Sequence, residues 1–125
     1  MRNAAAVSEA LNALERIQTE LAAVSSRTDE RRKYDLIELR RELAAQIATV
    51  GQLVEPLLIA LDLPDELQLF REKFSQMRSA AALHQANWPA VRLDEADDTY
   101  SLSVRQVRER NRDFVAWMRS AMARI

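Results

Sequence analysis

From Tyr100 to Ile125, the residues Tyr100, Val104, Val107, Asn111, Phe114, Met118, Ala121 and Ile125 recur at alternating steps of four and three. That spacing is the seam of a packed α-helix. Val115, Trp117 and Met122 lie beside the seam and widen it, so this helix has more than one surface to bury. One Gly and three Pro in 125 residues leave few tight turns, which disfavours a multi-stranded sheet. With 48% hydrophobic and 30% charged residues, the chain has the composition of a folded helical protein rather than a disordered one. Its length suffices for a core of its own, and one domain over 1–125 is expected.

Three earlier segments carry the same signature. Val7, Ala10, Leu14, Ile17, Leu21 and Val24 predict a helix from about Ala5 to Val24, with Glu15, Arg16 and Glu20 on its solvated side. The polar run Ser25, Ser26, Arg27, Thr28 ends it, and Asp29 and Glu30 suit the start of the next helix. The second helix is predicted from Asp29 to about Leu61, with Leu36, Leu39, Leu43, Ile47, Val50, Val54, Leu57 and Leu61 inward. Pro56 interrupts that pattern and predicts a kink or a break near Gly51–Glu55, because proline lacks an N–H and clashes with the carbonyl four residues back. Beyond it Leu57, Leu58, Ile59 and Leu61 are apolar on nearly every side.

Asp62, Leu63 and Pro64 mark a corner, and Asp65 and Glu66 suit a new first turn. The third helix has its seam at Leu67, Phe70, Phe74, Met77, Ala81 and His84, and ends at Asn87, Trp88 and Pro89. The fourth begins either at Pro89 or at Asp98, since Asp94, Glu95, Asp97, Asp98 and Thr99 are poor helix-interior residues and good caps. The predicted fold is therefore all-α: an antiparallel up-down-up-down four-helix bundle with unequal helix lengths.

Laying the helices side by side places Leu14 opposite Leu39 and Val7 opposite Gln46, so the first helix stops before Leu53–Leu61 begins. That end lacks a fourth wall. If the last helix starts at Pro89, about 18 Å of it projects beyond the bundle, at 1.5 Å per residue. If it restarts at Asp98, Ile125 falls level with Asp62 and nothing projects. In both cases an interface is expected at the Pro56 end, formed by Leu57, Leu58, Ile59, Asn111, Phe114, Val115, Trp117, Met118 and Met122. Asn111 is read as a buried amide that selects register or oligomer state.

Catalytic, cofactor and metal sites are not expected. Without cysteine there are no disulfides, thiolate ligands or thiol nucleophiles. His84 is the one histidine and is assigned to packing; Ala81, three residues before it, rules out a Glu-x-x-His pair. The acidic group Asp94, Glu95, Asp97 and Asp98 has no Gly for a calcium-loop turn and is read as capping. Arg105, Arg108, Arg112 and Arg119, like Arg31, Arg32, Lys33, Arg40 and Arg41, are read as ion-paired faces with Glu109 and Asp113 or with Glu30, Glu38 and Glu42. No membrane span is expected, because Gln46, Gln52, Glu55, Pro56 and Asp62 interrupt the apolar run Leu43–Leu63. Glu9 stands where a secretory signal needs an apolar core, and the cytoplasm is the expected location.

The stretch around Phe70, Phe74, Ala82 and Trp88 is similar in helix spacing to histidine phosphotransfer domains. Their His-x-x-Lys-Gly signature is missing, because His84 is followed by Gln85, Ala86, Asn87 and Trp88; the similarity implies a degenerate relative without the phosphoacceptor motif. The stretches Asn87-Trp88-Pro89-Ala90-Val91-Arg92-Leu93-Asp94 and Arg110-Asn111-Arg112-Asp113-Phe114 resemble loose patterns of the small helical chaperones of bacterial flagellar and type III export. That resemblance implies shielding of a client helix. From the residues alone, the expected function is a non-enzymatic protein-protein interaction module that forms a homodimer or binds an amphipathic partner helix. Because the formal charge is −1, little counterion release is available to drive nucleic-acid binding. A gel-shift titration with duplex and single-stranded DNA at about 150 mM salt is expected to show no sub-micromolar complex.

Overall fold

The computed structural model describes residues 2–125 and is helical, with α1 over Arg2–Ser25, α2 over Arg32–Ala60, α3 over Pro64–Asn87, a 3-10 helix over Ala90–Glu95 and α4 over Asp98–Arg124. Of the two expected starts for the last helix, the one at Asp98 occurs. Asp97 is extended, and its carboxylate accepts the Tyr100 N–H at 3.1 Å, so a short acidic side chain satisfies one of the free amides of the first turn. The projecting last helix is thereby removed. Arg124 lies 3.4 Å from Glu66, which sets the last turn of α4 beside the first turn of α3.

Of the kink or break expected near Gly51–Glu55, the break does not occur. α2 runs through Pro56 to Ala60, because only the one bond that the missing N–H would make is lost and the helix ends a turn later. That end is a Schellman motif: the Leu63 N–H donates to Leu58 O at 3.1 Å and the Asp62 N–H to Ile59 O at 3.1 Å. Asp62 adopts φ 53°, the left-handed position usually given to Gly, which Asp tolerates better than most side chains. At its other end α2 starts at Arg32 rather than at the expected Asp29. Asp29 is held instead by Arg27 at 2.6 Å, and Arg27 also reaches Asp35 at 2.8 Å.

The helices pack α1 on α2, α3 on α4, α1 on α4 and α2 on α3. Their main core joins Val7, Leu11, Leu14 and Ile17 of α1, Leu43, Val50, Val54 and Leu58 of α2, Phe70 and Met77 of α3, and Phe114, Val115 and Met118 of α4. Phe74 completes an aromatic centre there, with its ring 5.1 Å from Phe70 and 5.9 Å from Phe114. A second cluster closes the turn end: Val24, Leu36, Ala90, Leu93 and Tyr100. It seats the 3-10 helix against α2, where Asp94 pairs with Lys33 at 2.6 Å and with Arg32.

Burying a side chain this completely makes it sensitive to truncation. Phe114→Ala is expected to destabilise by about 3–5 kcal/mol. Met118→Glu is expected to abolish the cooperative thermal transition seen by circular dichroism, since an unpaired carboxylate would replace a side chain that is 1% exposed.

Candidate functional site

Nine positions were expected at an interface, and the chain itself already uses most of their surface. Leu58, Phe114, Val115 and Met118 are buried core residues, while Leu57, Trp117 and Met122 are half-buried against them. Their faces turn inward because α4, restarted at Asp98, slides back along α3. Ile59 alone of the set is open, at 56% exposed. Asn111 is 3% exposed, as its seam position implies, and among the described residues its Oδ1 has no hydrogen-bond partner.

Exposed apolar side chains occur on every helix after α1, among them Leu83, Val91 and Leu102, and those of α2 include Ile59. Ala44, Ala48, Gly51, Gln52, Pro56 and Ile59 border a groove of about 710 Å3 whose α3 side is Phe74 and Arg78. Gly51 has a local reason to be there: a Cβ on it would stand 3.2 Å from Phe74 Cζ. Glu55 bridges the two helices through Arg71 at 2.6 Å, and Arg78 lies over the Phe74 ring at 5.4 Å. By length and composition α2 is apolar enough to cross a membrane, yet only 28% of its most apolar window is buried.

A second feature is polar and internal. His84 Nδ1 and Ser103 Oγ share a 2.6 Å hydrogen bond between α3 and α4. The His84 ring lies 5.6 Å from Tyr100, and Tyr100 Oη is 3.4 Å from Ser25 Oγ. Arg40 reaches across from α2 to donate to the Trp88 carbonyl at 2.8 Å. Burial, with the nearby Arg40 charge adding to it, pushes the His84 pKa down to about 4, so the imidazole is neutral at pH 7. Burial also lowers Arg40 from its usual value. Ser103 and Arg40 were not tied to His84 in the sequence. The i to i+19 pairing needs the turn geometry that only the 3-10 connection defines.

No acidic group among the described residues is hydrogen-bonded to the His84 ring, the contact that orients the imidazole in a Ser-His-Asp triad. Among the described residues no group of His, Asp and Glu gathers that could hold a metal. The arginines of α4 depart from expectation too. Among the described residues Arg105, Arg108 and Arg112 make no ion pair, and Arg119 pairs with Glu15 of α1 rather than with Asp113. Local spacing suggested contacts along one helix, whereas the packing offers an acid on the neighbouring one. On α2 the expected pairing does form between Arg41 and Glu38, at 2.9 Å. Comparison with family models, with curated proteins and with solved structures finds no match.

A neutral His84 makes stability depend on pH. The unfolded chain takes up the proton near 6.5 and the folded one only near 4, so folding stability is full above about 6.5 and declines as pH falls toward 4. Denaturant titrations at pH 7 and pH 4.5 are expected to show this loss in the wild type and a smaller one in His84→Gln.

Proposed function

We propose that the chain is a non-enzymatic helical interaction module, an antiparallel up-down-up-down four-helix bundle that docks a helix, its own or a partner's, along the outer face of α2. The observation that supports this reading most is the apolar groove between α2 and α3. Ala44, Ala48 and Gly51 keep its floor shallow enough for a second backbone to approach, while Pro56, Ile59 and Phe74 offer larger surfaces to its side chains. An amphipathic helix laid into such a groove would bury an i, i+3, i+4, i+7 row against it.

Glu55, paired with Arg71, and Arg78 border the groove with charges of both signs. A charged rim around an apolar strip favours a protein over a lipid surface, since charged groups in hydrocarbon are costly and a partner helix can pair with them at the edge. Shielding of an aggregation-prone client helix, the role implied by the resemblance to export chaperones, would use this docking mode with a hetero-partner. A phosphotransfer role has less support, because His84 is half-buried and hydrogen-bonded rather than presented to solvent.

Ala48→Glu and Ile59→Glu place carboxylates in the groove at exposed positions, and both variants are expected to keep the wild-type helical content. Light scattering at about 100 μM should show the wild type associating, or binding an amphipathic helical peptide, and both variants failing to do so. A wild type that stays monomeric and binds no such peptide would remove the proposal.

A further inference from the structure

Residues of α1, α2, α3 and α4 line a partly open cavity of about 30 Å3. That is room for about two waters, or for the head group of a small ligand. Its wall is apolar at Leu21, Leu36, Leu43 and Val104, and carries Arg40, His84, Tyr100 and Gln18 as polar groups, with Arg108 among the lining residues on α4. No Asp or Glu lines it.

Arg40 is the anomaly. It is half-buried, and among the described residues no carboxylate lies within the 4.0 Å of an ion pair. Its one hydrogen bond goes to the neutral Trp88 carbonyl. That carbonyl stands at the C-terminus of α3, whose dipole offers roughly half a negative charge, so a net positive charge remains. A half-buried cation beside a cavity whose lining has no acidic group leaves a positive potential there, which attracts an anion. Arg108 adds a second cation without an ion pair, and Tyr100 adds a hydroxyl that can donate.

We propose that this cavity is a binding site for the oxyanion head of a small carboxylate or phosphate, with Arg40 as the half-buried cation, the Tyr100 hydroxyl as a donor and Arg108, at the exposed edge, as a second cation. The planar guanidinium suits two-point contact with either head group. The apolar wall accommodates the non-polar part of a short carboxylate, whereas inorganic phosphate would use the cations alone. The site is separate from the groove on α2, so its failure would leave the docking proposal standing.

Thermal unfolding of the full chain in sodium acetate, sodium propionate and sodium phosphate, each against sodium chloride at equal ionic strength, tests this. A saturable rise in Tm over the millimolar range is expected with at least one oxyanion and none with chloride. Acetate and propionate acting without phosphate would identify a carboxylate site, and phosphate alone a phosphate site. Arg40→Met should abolish the response, and Arg108→Gln, exposed and harmless to folding, should weaken it several-fold. An NMR titration of His84 supplies a readout that needs no variant. The bound anion neutralises Arg40, so the His84 pKa should rise from about 4 on saturation. A Tm response equal to that of chloride, or a His84 titration unmoved by every oxyanion, would overturn the proposal.

Discussion

Helix α2 is apolar on more sides than its neighbours can cover. One face carries Leu43, Ile47, Val50, Val54 and Leu58 into the core. α1 takes one flank, α3 another, and the 3-10 helix covers the start near Leu36. What remains is the strip through Ala44, Ala48, Pro56 and Ile59, all of them exposed among the described residues. Small residues and proline keep the penalty for this exposure modest, since the area per residue is low. Gln52 and Glu55 interrupt the strip with polar groups along the same groove.

The second determinant is the connection between α3 and α4. Had the last helix begun at Pro89, Phe114, Val115 and Met118 would have extended beyond the bundle. Asp97 caps a restart at Asp98 instead, and the 3-10 segment between folds Ala90 and Leu93 back over Leu36 and Tyr100. The same detour brings Trp88 O within reach of Arg40 and sets His84 against Ser103. One stretch of irregular backbone thus decides which apolar residues are core and which polar ones share the interior.

Much of the fold was legible in the residues. The four seams are long and regular, the corner at Asp62–Pro64 has few alternatives, and the acidic run before Tyr100 announces a cap. The Schellman end with Asp62 in the left-handed position, and the continuity of α2 through Pro56, were less so. A proline one turn before a helix end costs little, and periodicity does not register how near that end is. Most of the nine positions expected at an interface pack within the chain itself, because a seam states which residues are buried without stating against what. Phe114 and Met118 have the same pattern whether they face α3 or another chain. Ile59 was the exception, being apolar at a position off the seam, and Ala44 and Ala48 escaped notice because alanine carries little hydrophobic signal. Arg40 likewise reads as one more cation on a charged face until its distance from every carboxylate is known.

These features make solvent access along two helices the decisive quantity, and the chain has no cysteine of its own, so a single introduced thiol reports alone. Thiol-labelling rates should be compared for Ala48→Cys and Ile59→Cys on α2 and for Val115→Cys and Met118→Cys on α4, in dilute native protein. The two α2 thiols should react nearly as fast as in the unfolded chain, and the two α4 thiols should be protected by orders of magnitude. Fast labelling at Val115 and Met118 with protection at Ala48 and Ile59 would contradict the account, and would return the exposed apolar surface to α4.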